Sequence, residues 1–568
     1  MKPDDIDLIK SLTPDRINQT SDPDIIYRLL GILETCITEI SDLKQEVQSL
    51  RDEVNRLKGE KGKPEFPKNR GKRDDYSSEQ NRKNPTKPAH KGRTERNYKV
   101  QITREVVCHV PSESLPFDAV FKGYSTAIVQ DIKILPDNVK FQIEKFYSPS
   151  TGKTYSGTRP DGYEGEYGPG IKSLIIGLKY CCNVSEPAIE AFLKFHGVFI
   201  SSSTISRYLT HNLESFHEEK NELTQCGLRS TSFQQMDDTG ARVNGEQWYT
   251  QILCNPYYTS FQTIPHKDRL SIIQLLSGGQ KILFLFNEEA FELLKRFKLS
   301  SAIQSYLKEN CSELTLDEET LNTYLRQLPT RNKSIDSIYR RIKEASGIAW
   351  YHSQRSYPVV STLLTDDAPQ FAHVAENQAL CWIHAGRGLK KLNPLNPAFQ
   401  EILRIKLDEF WEYYRLLAEF KQNPLPELIR EIDQIFDEIF FEHTGYPALD
   451  DRLKAIADNK NKLLQILINP DIPLHNNESE LGARVQVRKR DVSLHTVTSG
   501  GTKAVDTFLS LRETTRKLGV NFFEYLLDRI TKMEKIERLG KLIMSKTGMP
   551  DVIDHSGCKS SSKIGLVV

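Results

Sequence analysis

Three acidic segments of this chain carry residues that could hold a divalent cation. They are Asp237-Asp238 in "TSFQQMDDTGARV", Asp366-Asp367 in "YPVVSTLLTDDAPQF", and Glu478 with Glu480 in "PLHNNESELGARVQVRKRDVSL". Hard carboxylate oxygens suit Mg²⁺ and Mn²⁺, whereas zinc prefers the softer nitrogen and sulfur donors. A site built from two aspartates and a glutamate, with open metal positions, fits phosphodiester chemistry. One ion activates water or a 3′-hydroxyl and the other stabilises the leaving oxygen.

The elements that must position these groups narrow the choice. The first pair lies on the opening strand of a meander whose turns fall at Asn244-Gly245 and Asn255-Pro256; the second closes a buried apolar strand. Side chains alternate along a strand, so one member of each pair can face a shared site. Glu478 and Glu480 sit about 200° apart on a helix, so again one points inward. Arg484 and Arg488 follow at helical spacing, on a face suited to phosphates. Ordinary readings stand beside these: a turn before Gly240, a helix cap at Asp366-Asp367, and a capping box from Asn477 to Glu480.

Composition sets the outer bounds. A chain of 568 residues exceeds one core, so several domains are expected. The formal net charge is +1, which favours no partner by itself, so local charge decides. No apolar run approaches membrane-spanning length and "MKPDDIDLIK" is no signal peptide, so a cytoplasmic protein with no membrane partner is expected. The nine cysteines include no C-x-x-C pair, which argues against a disulfide framework or a zinc knuckle.

Seven segments follow from the pattern. Residues 1–58 form an N-terminal helical segment in which Leu43, Val47, Leu50, Val54 and Leu57 make a coiled-coil seam; extension through Leu33, Ile37 and Ile40 breaks phase near Leu43. Residues 59–100 hold 13 basic and 6 acidic residues and form a flexible basic linker. Residues 101–170 alternate like a small β-rich module; Tyr147 stands where a phosphate loop ending in "GKT" would need glycine. Residues 171–225 carry helix-turn-helix spacing, with one helix from Glu186, a break at Gly197, and a second helix capped by Ser202 or Ser203 and running through Arg207. Residues 226–500 form the acidic core with helical insertions at about 271–346 and 392–472. Two helices separated at Gly519 occupy 501–546, and a disordered tail occupies 547–568.

Taken together, "MDDTG", "TDDAPQF" with "LCWIHAGR", and "NNESELGARVQVRKRD" followed by "SGGTKAVDTFLSLRETTRKLGVNFFEYL" resemble the transposases of the IS66 insertion-sequence group. These are DDE-type enzymes with a ribonuclease-H-like α/β catalytic domain. The resemblance implies Asp237, Asp366 and Glu480 as the catalytic and metal-binding triad. It implies Asn476 and Asn477 as the start of the helix carrying Glu480, and His384 and Trp382 as part of a Cys-Trp-x-His segment. Ser203, Arg207, Arg484, Arg488, Lys489 and Arg490 would contact DNA.

The chain departs from the family in places. Cys108 is alone between Tyr98 and Tyr180 where the family carries a zinc module, so no zinc is expected there; His475 and Leu481 replace the usual aspartate and arginine. The implied function is Mg²⁺-dependent cleavage at transposon ends and strand transfer into target DNA, with Mn²⁺ as a substitute metal. The expected partners are DNA, further copies of the chain and small accessory proteins encoded with the element. A transposase-derived binding protein and a host nuclease of the same fold are the competing readings.

Overall fold

The fold is that of a computed structural model describing residues 101–329, 335–355, 357–394 and 396–548, with isolated positions between 29 and 47. Those isolated positions are helical. Leu33, Ile40, Leu43 and Val47 among them are exposed and Cys36 is half-buried. Ile32 is buried, and Ile37, named in the upstream extension, lies outside the described residues. Leu50, Val54 and Leu57 lie outside the described residues, as do the basic linker and the tail beyond 548.

The module expected at 101–170 reduces to one hairpin, β1 (Lys145–Ser148) paired with β2 (Lys153–Ser156). Its alternating apolar residues find no further strands, and Val106, Phe117, Val120 and Phe121 stay exposed. Next come α1 (Pro169–Tyr180), α2 (Glu186–Phe195), α3 (Ser202–Thr210) and α4 (Glu214–Arg229). Ile175 and Ile176 of α1, Ile189 and Leu193 of α2, and Ile205 and Leu209 of α3 are buried in one core, and Gly197 turns the chain with φ +77°. The cap of α3 is Ser201, whose Oγ accepts the Thr204 N–H, and not Ser202 or Ser203.

At the centre lies a mixed five-stranded sheet flanked by helices. Strands β3 (Phe233–Val243), β4 (Glu246–Asn255) and β5 (Tyr258–Ile264) form the expected antiparallel meander. Asn244 and Gly245 both take positive φ, as the tight hairpin turn demands. The first insertion covers α5 (Arg269–Leu276), β6 (Phe284–Leu285), α6 (Glu288–Arg296), α7 (Ser301–Cys311), β7 (Thr315–Leu316), α8 (Glu318–Leu325) and α9 (Ile335–His352). It starts and ends close to the expected limits and adds a two-stranded ribbon of β6 and β7. Then β8 (Thr362–Thr365) joins the sheet parallel to β3, and β9 (Asn377–Leu380) joins parallel to β8. The order is β5-β4-β3-β8-β9.

After β9 come α10 (Trp382–Lys390) and the second insertion: α11 (Pro397–Gln422), α12 (Leu428–Phe440), α13 (Pro447–Asp458) and the single turns α14 (Lys460–Leu463) and α15 (Gln465–Ile468). This insertion owns a separate apolar core around Phe410, Tyr413, Phe436 and Phe440. The chain returns to the sheet through α16 (Asn477–Ser493) and α17 (Ser499–Leu518), then runs through α18 (Phe522–Thr531) and α19 (Leu539–Thr547). Gly519 separates α17 from α18 in the left-handed conformation, as expected. A second break, at Lys532 and Glu534 with positive φ, divides what the sequence presents as one last helix.

The exposed edge of β5 is closed by α17. Asp506, Ser510 and Thr514, one turn apart, accept the N–H groups of Thr263, Phe261 and Thr259. Four helical residues rise about 6 Å and two strand residues about 6.8 Å, so the repeats match and the edge is satisfied without another strand. Among the described residues no helix is long and apolar enough to cross a membrane.

Candidate active site

The register of the sheet brings the two aspartates together. The pairing of β3 with β8 ends at Gln235 and Leu364, and two residues further along each strand stand Asp237 and Asp366. Two steps preserve the face, so both carboxylates leave the sheet on the same side. That face also carries Ile252 of β4, the cross-strand partner of Asp237, and α16 lies against it with Gly482 over Ile252. Glu480, in the first turn of α16, thereby comes near enough for its charge to act on Asp237. Burial, reinforced by the charges of Asp366, Asp238 and Glu480, pushes the Asp237 carboxyl up to about 7 despite the N–H of Asp238. A divalent cation bound beside Asp237 would supply the positive charge that its burial and its acidic neighbours leave unmet.

The other member of each acidic pair is already neutralised. Asp238 pairs with Lys267 at 2.7 Å and accepts a bond from Gln370 at 3.0 Å. Asp367 turns outward to Lys462 at 3.6 Å and Asn459 at 3.2 Å. Glu478 pairs with Lys517 at 2.6 Å. Among the described residues no cation pairs with Asp237 or Asp366, whereas Glu480 has Arg387 at 3.4 Å and His384 at 3.8 Å. In each acidic pair, then, Asp238, Asp367 and Glu478 have a lysine partner among the described residues, and Asp237, Asp366 and Glu480 have none.

The asparagines act differently from expectation. Asn476 precedes α16 but makes no side-chain cap; its Nδ2 donates to the Met236 carbonyl and its backbone N–H to Cys381 Sγ. It fastens the helix start to β3 and to the end of β9. Asn477 is the first helical residue, and no capping box forms between it and Glu480. Trp382 is buried among Phe410, Tyr413, Phe436 and Phe440, with its indole N–H on the Leu463 carbonyl, so it packs behind the site. His384 does reach the site, and burial holds its imidazole below the usual value although Glu480 opposes this.

Of the proposed DNA contacts, Ser203, Arg207, Arg484 and Arg488 are exposed. Lys489 and Arg490 are corrections. Lys489 is buried, donates to the Lys179 carbonyl, stands 4.9 Å over the Tyr180 ring, and is driven by burial down to about 7. Arg490 is spent on the Gly240 carbonyl. One position along a helix turns the side chain by 100°, so Lys489 cannot share the outward face of Arg488. Cys381 and Arg387 are the site residues that sequence reasoning assigned no role. The spacing of Cys381, His384 and Arg387, three apart on one helix face, is the signal that could have found them.

Two donor sets could hold a metal. Asp237, Asp366 and Glu480 offer hard oxygens. Cys381, His384 and Glu480 bring a sulfur, a nitrogen and an oxygen within 4.8 Å of one another. A cleft of about 260 Å³ opens beside them, lined by Asp366, Cys381, His384 and Arg452. A larger cleft, about 530 Å³, lies between α3, the end of β3 and the last turns of α16.

No family model and no solved structure matches the chain. It is 34% identical over 313 residues to the uncharacterized protein y4jO of Sinorhizobium fredii, a match covering 54% of this chain and 94% of that protein.

Proposed function

We propose that this chain, which belongs to one family with the uncharacterized protein y4jO of Sinorhizobium fredii, is a DDE-type DNA transposase of the IS66 kind with a ribonuclease-H-like core. The observation that carries the reading is the charge pattern at the site. Asp237, Asp366 and Glu480 converge without a lysine among them, while Asp238, Asp367 and Glu478 each have one. A merely structural acidic cluster gains nothing from leaving Asp237 and Asp366 without a cation beside them. A sheet in which an antiparallel meander continues into two parallel crossover strands, with acids on the central strand and its parallel neighbour, supports the same core.

The residues divide the work. Asp237, Asp366 and Glu480 would hold Mg²⁺ or Mn²⁺, which when bound supplies activation of the attacking oxygen and stabilisation of the leaving one. Asp237 must give up its proton for that role. Arg387 and His384, both beside Glu480, would orient its carboxylate. Arg484 and Arg488, exposed further along α16, face phosphates of the element's ends, and Ser203 and Arg207 on α3 present the helix-turn-helix to a groove. The exposed seam Leu33, Ile40, Leu43 and Val47 supports association of copies.

The test is Mg²⁺-dependent cutting and strand transfer on DNA bearing the ends that flank the gene, with wild type against Glu480→Gln and Asp366→Asn. Cutting by wild type, with both variants binding DNA and failing to cut, is the expected result. Variants that cut like wild type would overturn the site assignment. Binding by all three without cutting would favour a DNA-binding derivative.

A further inference from the structure

We infer that Cys381, His384 and Glu480 form a second metal site, selective for a borderline-soft divalent ion of the zinc class. The sequence expectation of no zinc rested on the absence of C-x-x-C pairs and on the lone Cys108; this cluster, one cysteine with a histidine and a glutamate, lies where the starts of α10 and α16 meet.

Cys381 immediately precedes α10 and His384 lies three residues later, so their side chains share one face, and the Cys381 carbonyl accepts the His384 N–H at 3.1 Å. Glu480 arrives from α16, and the backbone N–H of Asn476 points at the Cys381 sulfur at 3.3 Å. Burial pushes the Cys381 thiol up to about 11 although the Asn476 N–H opposes this, so the sulfur would lose its proton only to a bound ion. The ligand atoms lie within 4.8 Å of one another. Tetrahedral zinc places its donors roughly 3.5 Å apart, so modest side-chain rotation closes the set and leaves a fourth position for water.

A further observation points to a ligand here. His384 Nδ1 is buried without a partner. Orphaned polar atoms of this kind are uncommon and call for an ion or an ordered water. Arg387 now stands against both Glu480 and His384, at 3.4 and 3.3 Å. Metal entry would displace its guanidinium, and the Cys381 thiol proton would leave to solvent.

The inference has a consequence that rests on the proposed function. Glu480 belongs to both donor sets, so an ion on Cys381 and His384 draws this carboxylate away from Asp237 and Asp366. Zn²⁺ should therefore inhibit Mg²⁺-dependent cutting.

The binding test needs no DNA. The full chain, with Mg²⁺ in excess, is titrated with Co²⁺ and followed by absorption. A sulfur-to-cobalt charge-transfer band that saturates at one equivalent is expected. It should vanish in Cys381→Ser and persist in the double variant Cys181→Ser/Cys182→Ser, whose cysteines are exposed elsewhere. Should Cys381→Ser fail to fold, His384→Gln must weaken Co²⁺ binding by at least about 10-fold. No band, or a band unchanged in these variants, overturns the inference. The spectrum reads binding alone, so failure here and failure of the cutting assay remain distinguishable.

Discussion

Replacing Gly482 by alanine probes how α16 positions its glutamate. A Cβ at Gly482 would lie 2.7 Å from Cγ2 of Ile252 on β4. Carbon atoms in ordinary contact sit about 3.5–4.0 Å apart, so the helix must retreat by about 1 Å or the fully buried Ile252 must turn. Overpacking of this size costs about 1–3 kcal/mol, and the better helix propensity of alanine offsets about 1 kcal/mol. Net destabilisation is therefore small, about 0–2 kcal/mol. Function should suffer more, because Glu480 lies two residues away and a 1 Å displacement of a catalytic group costs about 100-fold in rate. Urea unfolding and Mg²⁺-dependent cutting, measured on the same preparations, separate the two effects. Ile252→Ala alone costs about 2–5 kcal/mol, yet in the double variant it removes the clash, so the pair should be less destabilised than the sum of the singles. If Gly482→Ala is stabilised by about 1 kcal/mol and cuts like wild type, the close seating of α16 on β4 is wrong.

Other expectations follow from single contacts. Ser510→Ala leaves the Phe261 N–H buried without its acceptor and should cost about 1–3 kcal/mol, read by urea unfolding. Arg488→Ala should weaken DNA binding and lower the salt slope by about 1, whereas Lys489→Met, on the buried side, should leave the slope unchanged. His217, bonded to Thr507 at 2.7 Å, is held by burial down to about 4 from 6.5. The unfolded chain therefore takes up a proton before the folded chain does, and stability falls as pH drops from 6.5 toward 4. Allowing for partial exposure, the loss is about 1–2 kcal/mol, and His217→Gln should flatten it in a series of unfolding curves.

What the sequence made legible was mainly local. The Asn244-Gly245 turn and the alternation of β3 to β5 announced the meander, and the apolar run before Asp366 announced β8, because strand period and turn chemistry are properties of neighbouring residues. The acidic pairs were visible for the same reason, but the choice within each pair was not. The partners of Asp238, Asp367 and Glu478 are Lys267, Lys462 and Lys517, which are distant in the chain and carry no marking pattern. Lys489 was misplaced because a basic run hides which of its members turns inward; only the neighbouring Lys179 carbonyl and Tyr180 ring reveal that. The alternation in 101–170 suggested more strands than the one hairpin found, since pattern without a partner strand does not make a sheet.

The most direct measurement compares two matched sets of neutral substitutions in Mg²⁺-dependent cutting, with folding verified by circular dichroism. The first set is Asp237→Asn, Asp366→Asn and Glu480→Gln; the second is Asp238→Asn, Asp367→Asn and Glu478→Gln. Loss of a metal ligand removes several kcal/mol of transition-state stabilisation, so each member of the first set should fall by about 10³-fold or more. Members of the second set, whose charges are already met by lysines, should stay within about tenfold of wild type. Equal losses in both sets, or a first set that still cuts, would contradict the assignment of Asp237, Asp366 and Glu480.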